Sequence, residues 1–446
     1  MKPMLTTLSS LLILLCSGFL SFAQDVETRV FAYYITSDIN SGGSIAVVDP
    51  SALNDAVEYI EVPVEEEWRL PSIMRVSPDG EWIVFVTSLD GEDGRNPRFV
   101  RLFNLISGEI HDLNQGYVLG VEWSPDNRFL ALSQGDVFIH SVLENNTINL
   151  TNDDEPRVDI AWSNDSTKIA ALIDFCLAEG CTRQLEILGV ENDIYQISPD
   201  LRDTALSLGP LAGLNCKLDW SPNGRYVSFM IGCPQSLTLE VARELFVWDT
   251  DQEILQQVTN FTTSAFQPGG TGIAGGDYNS VWFDANTLLI GASQNPSTDG
   301  ASYNYNVTEN TLNQLFSTQV DEWARNPVTN QMVGRQVQPE TLNAQSTDSE
   351  LPSGNVEIFT LDQSRSAEAR VDALAVPATL PDGCNFYWSP DGTTLAYSVP
   401  RSGCPGTDTA QFVFVDAATG EYTEFTPTLP DGSAPLAVVP LGWVAR

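Results

Sequence analysis

Trp388-Ser389-Pro390-Asp391-Gly392, followed by the apolar run Leu395-Ala396-Tyr397-Ser398, decides the fold of this chain. Pro presets φ for a tight turn, and Gly or Asn accepts positive φ. The unit is therefore a strand ending at Trp, a turn, and a second strand. It recurs at Trp123-Ser124-Pro125-Asp126 and at Trp220-Ser221-Pro222-Asn223-Gly224. A degraded copy stands at Trp162-Ser163-Asn164-Asp165, and another, with Val76 in the Trp place, at Ser77-Pro78-Asp79-Gly80. Repetition at this spacing means one small all-β unit copied around a ring, a β-propeller.

Each unit continues with a third strand, often ending in Asp, as in Leu245-Phe246-Val247-Trp248-Asp249, and a short outer strand such as Tyr422-Thr423-Glu424-Phe425. The key position falls at Val76, Trp123, Trp162, Trp220, Trp282, Trp323, Trp388 and Trp443. That predicts eight four-stranded blades, or seven if the Trp323 copy is an insertion. Trp443 heads an inner strand with no strands after it. The N-terminal runs Phe31–Ile35, Ile45–Asp49 and Tyr59–Val62 supply what it lacks. The two chain ends are expected to meet in one composite blade, which removes the exposed edges of an open stack.

The repeated phrase resembles the WD40-like (PD40) repeats of the TolB-type propeller family, and also the propellers that precede peptidases of the dipeptidyl-peptidase type. The resemblance covers nearly the whole chain after the leader. It implies the fold and leaves function open. The α/β domain that precedes the TolB propeller has no counterpart before Val30, and no hydrolase domain follows up to Arg446. No Gly-x-Ser-x-Gly elbow occurs. A non-catalytic protein is the expectation.

Residues 1–23 read as a secretory leader: Lys2 is its one charge, Leu11–Leu15 is apolar, and Ser21-Phe22-Ala23 offers a cleavage site. Cys16 is the alternative, a lipid anchor, but Leu15 before it is bulky. Residues 24–446 then form a single propeller domain, secreted or periplasmic. The formal net charge of −38 excludes nucleic acid and opposes anionic membranes; no segment is suited to membrane insertion, and a monomer is expected. Six cysteines remain after the leader. Cys216 and Cys384 each lie four residues before a key Trp, with Cys233 and Cys404 following it, and Cys176 and Cys181 are close together. The repeat alignment predicts disulfides 176–181, 216–233 and 384–404.

Strand alternation puts all Ser-Pro-Asp-Gly turns on one face. The long excursions 198–215, 260–279, 336–355 and 400–411, and the six cysteines, fall on the other. Loops carried on a rigid scaffold are where binding concentrates, so the expected function is an exported scaffold binding a protein partner through this face. The alternatives are a small-molecule or glycan receptor, with Phe266, Tyr278 and Tyr303 as stacking platforms alongside Phe261, and a metal-assisted hydrolase or lyase working in the channel. Residues one and three before the key Trp, Glu122, Asp159, Asp219 and Glu322, with Lys217, Asn279 and Asn385, are placed to face the axis. Converging carboxylates suit calcium. The Asp90–Gly94 and Asp38–Gly42 loops look calcium-like without completing a ligand spacing. Gly269–Gly276 lacks the Lys of a phosphate loop.

Overall fold

The structure is a computed structural model that describes residues 29–37, 43–53, 57–62, 73–88, 98–116, 118–153, 155–177, 180–190, 195–197, 214–233, 244–259, 279–293, 300–337, 354–362, 370–373, 380–401, 403–404 and 408–445. The leader, Cys16, Phe261, Phe266, Tyr278 and the Asp90–Gly94, Asp38–Gly42 and Gly269–Gly276 loops lie wholly or mostly outside them.

The chain is an eight-bladed β-propeller of four-stranded antiparallel sheets. Blade I is the composite: Ala437–Ala445 is its inner strand, followed outward by Arg29–Thr36, Ser44–Val48 and Glu58–Glu61. Trp443 lies opposite Phe31, and Val438 opposite Ile35. Blades II to VIII follow in chain order, spanning 73–116, 120–149, 157–197, 214–257, 279–316, 320–373 and 384–425. The Trp323 copy is a full blade, VII, so the count is eight and not seven.

The turn phrase explains itself in hydrogen bonds. In five turns the buried Ser hydroxyl donates to the side chain two residues on and accepts the N–H five residues on: Ser77, Ser124, Ser163, Ser221 and Ser389. The Asp or Asn then accepts a backbone N–H two residues further, as Asp391 does from Thr393 at 3.0 Å. Gly392 (φ 70°) or Asn127 (φ 64°) supplies the left-handed corner. Neighbouring turns are stitched together. Asn127 Oδ1 accepts the Asp79 N–H at 2.7 Å, and Ser166 Oγ accepts that of Asp126 at 3.1 Å. We expect Ser221→Ala to cost about 1–3 kcal/mol, since the buried Tyr226 N–H loses its acceptor and Asn223 Oδ1 keeps only the Arg225 N–H; denaturant titration reads it, and no loss would mean the turn holds without the hydroxyl.

The Trp of each phrase is an inter-blade staple. Its indole N–H donates to a carbonyl on the preceding blade's inner strand: Trp123 to Arg75, Trp162 to Glu122, Trp220 to Ala161, Trp282 to Asp219, Trp388 to Ala324 and Trp443 to Tyr387. The distances run from 3.0 Å for Trp220 to 3.3 Å for Trp123. In the eroded copy of blade VII the Trp323 N–H has no partner, so the worn phrase is also worn in its bonding. Both faces of the middle strands pack on neighbouring blades, which is why runs such as Trp82–Val86 are apolar without alternation.

Of the predicted disulfides, Cys384–Cys404 is formed, with Cα atoms 5.9 Å apart. Backbone register sets Cys176 directly opposite Cys181. In blade V, Cys233 faces Leu214 and Cys216 faces Met230 across an irregular register. The side chains of these four lie outside the described set.

Candidate site in the central channel

The residue one before each key position forms a tier around the axis: Gly442, Arg75, Glu122, Ala161, Asp219, Val281, Glu322 and Tyr387, blade by blade. Half of this tier is charged. Asp159 joins it from three positions before Trp162, and its carboxylate accepts from the backbone of Lys217 and Leu218 in the next blade. Glu322 Oε1 accepts the Phe386 N–H at 3.2 Å. Gly442 (φ 117°) leaves room for its neighbour: a Cβ there would lie 3.3 Å from the Tyr387 ring.

The structure thus brings Asp159 and Asp219 within electrostatic reach of Glu122, with Arg75 beside it. Enclosure by the ring pushes Glu122 up to about 7; Arg75 pulls it back, while Asp159 and Asp219 push it further. Enclosure likewise raises Asp219 to about 7 and Asp159 to about 6, against backbone hydrogen bonds that lower both. It raises Tyr387 to about 12, with Glu322 adding to the rise and Arg75 opposing it. The surfaces of Glu122 and Asp219 are nonetheless open. They face channel water inside a wall of protein, and that water screens the charges.

These carboxyls ionise less readily in the fold than in the open chain. Their stabilising contribution is therefore full below the ordinary carboxylate range near 4 and is lost as pH rises through 6–7. We expect unfolding free energy to fall by about 1–2 kcal/mol between pH 5 and 8 from this cluster, after allowing for the screening. The Glu122→Gln/Asp219→Asn protein should lose most of that slope. An unchanged slope in denaturant melts at the two pH values would show that the cluster is not the cause.

The expected places of Tyr303 and Asn385 are corrected. Tyr303 does not stand on the loop face: it lies in the third strand of blade VI (Gly300–Asn306), 9 % exposed, packed with Met230, Leu245 and Ile290. Strand alternation turns it inward, between blades V and VI. Asn385 turns from the axis, its amide donating to Ser398 Oγ at 2.8 Å, because its φ of 59° breaks the strand. Lys217 has the same left-handed conformation, φ 55°, one residue after Cys216 as Asn385 is after Cys384. For calcium, among the described residues no group of three or more His, Cys, Asp or Glu is arranged to hold a metal ion. Sequence reading missed Arg75 and Tyr387. Counting one back from Val76 and Trp388, as from the other key residues, finds both.

No family model matches the chain, and no curated protein matches it. Similar solved structures include the dihydro-heme d1 dehydrogenase NirN in complex with DHE, at 14% identity over 91% of this chain and 74% of that one, TM-score 0.50. The C-terminal WD40 domain of Sif2 is similar at 12% identity over 85% and 94%, TM-score 0.47. An oligogalacturonate lyase in complex with manganese is similar at 13% identity over 90% and 98%, TM-score 0.46. The likeness to NirN bears on the fold alone and leaves the work of this chain unassigned.

Proposed function

We propose that this chain is an exported, non-catalytic propeller of the TolB-like repeat class that binds a protein partner through its loop face. The observation that carries the reading is the asymmetry of the two faces. On one, capped turns such as 77–81, 124–128 and 389–393 are closed and stitched together by short side chains. The strand ends on the other face are joined by the long stretches 198–213, 234–243, 258–278 and 338–353. The Cys384–Cys404 bridge also ties that face. Long connections on a rigid ring supply variable contact surface at little cost to the core. The leader-like residues before Gln24 support export. A non-catalytic role is supported by the burial of both imidazoles, His140 with the Thr147 hydroxyl at 3.0 Å included.

The test is capture of partners by the purified protein, run beside Cys384→Ser/Cys404→Ser and Leu143→Glu, a change at an exposed residue between the third and outer strands of blade III, at the turn face. One protein kept by the turn-face variant and lost by the cysteine variant supports the reading; loss only on the turn face sinks it. The channel favours a second reading, a receptor for a small polar molecule. Arg75, three carboxyls raised towards neutrality and Tyr387 offer mixed charge in an enclosed space. A ligand whose thermal shift disappears in Glu122→Gln/Asp219→Asn would favour it.

A further inference from the structure

The chain has two histidines, and they meet across the seam between blades II and III. His111 stands in the outer strand of blade II (Ile110–Gly116) and His140 in the third strand of blade III (Asp136–Ser141). They are 3 % and 1 % exposed, and their rings meet edge-on with centroids 5.6 Å apart. Each uses one nitrogen: His111 Nε2 lies 2.9 Å from Glu109 Oε1, and His140 Nδ1 lies 3.0 Å from Thr147 Oγ1. His111 Nδ1 and His140 Nε2 are buried without a partner. Trp82 packs against His111 with ring centroids 4.9 Å apart.

We propose that this pair is an acid-sensitive latch on the seam between blades II and III, closed while at least one ring is neutral and released when both carry a proton. Among the described residues, Glu109 is the charged group in contact with either ring, and it can offset one imidazolium. The cross-strand neighbours Leu102, Leu130 and Thr147 do not titrate. Asp112, next along the strand, is paired with Arg101. Arg128, at the same end of blade III, is held by Asp126, and Glu81 and Glu144 are the acidic groups at that turn end. A second proton therefore places two like charges side by side in an apolar seam, with the carboxylate of Glu109 on His111 alone to offset them.

Burial holds His140 down to about 4, and His111 pushes it the same way. His140 is thus neutral in the fold where the open chain would protonate it. The seam is fully held above the ordinary histidine value near 6.5 and is lost as pH falls from there towards 4. Opening would bare Trp82, Leu102 and Leu130, part of the apolar contact between the two blades.

The test is hydrogen exchange of the full chain from pH 7 to 4, expressed as protection against the intrinsic rate. Amides of 110–116 and 129–149 should lose at least tenfold more protection than those of blades V and VI, about one pK unit's worth of proton linkage. In His140→Phe, which keeps a ring in the seam, that extra loss should vanish. The same loss in the variant, or no extra loss in the native chain, overturns the latch. Should the variant not fold, nuclear magnetic resonance titration of the native imidazoles decides: both rings titrating near 6.5 with seam amides still protected refutes it.

Discussion

Removing residues 437–445 should abolish the cooperative fold or drive the protein into oligomers. That strand is the innermost of blade I and pairs along its length with Arg29–Thr36. Val438, Leu441, Val444 and Ala445 are buried, and Trp443 staples blade I to blade VIII through the Tyr387 carbonyl at 3.0 Å. The same strand reaches blade II, where the Ala445 N–H donates to Gly80 O at 3.0 Å, beside the bond from the Arg29 side chain of the paired strand to Asp79 O. Its loss strips Phe31, Tyr33 and Ile35 of cover and leaves the inner edge of Arg29–Thr36 unpaired. Burying such side chains is worth about 1.5–3 kcal/mol each, so the loss is comparable with the 5–15 kcal/mol margin of a typical domain. Light scattering and thermal melts read the outcome. A monomeric truncation melting like the full chain would show that the ring does not depend on its closure.

The second large effect is expected at Arg157, at the start of the inner strand of blade IV and fully buried. Its guanidinium grips both Asp153 oxygens, at 2.7 and 2.9 Å, and Glu186 Oε2 at 2.8–2.9 Å. Its backbone is held too: the N–H donates to Gly135 O, and the Ser133 hydroxyl donates to Arg157 O. Hydrogen bonds from Arg157 hold Asp153 below the usual carboxylate range, while burial raises Glu186 against the pull of the same arginine. Arg157→Met leaves Glu186, 4 % exposed, without its counter-charge and should cost about 3–5 kcal/mol. Adding Glu186→Leu should recover much of that, because the apolar pair needs no desolvated charge. A single variant losing under about 1 kcal/mol in denaturant melts would place the stability of this corner elsewhere.

The fold was legible because its units are local. Ser, Asp and Gly of one turn satisfy one another within six residues, so the phrase carries its own geometry and its copies can be counted. The composite blade was legible by subtraction: a lone Trp443 at one end and three unclaimed strands at the other. The channel was half legible. Glu122, Asp219 and Glu322 follow from their offset to Trp, but Arg75 hides before a Val and Tyr387 looks like core. Tyr303 was misplaced because an aromatic near a loop and one inside a strand read alike until strand alternation is known.

By itself the sequence determined the repeat, the closure of the ring and the placing of long connections on one face, since turn chemistry and strand length act over a few residues. Tertiary structure alone decided which side chains meet across blades. The three enclosed carboxyls share a charged environment, the indoles find carbonyls on neighbouring inner strands, and His111 meets His140. Their separations in sequence follow no local rule; they come from the rotation that sets one blade against the next.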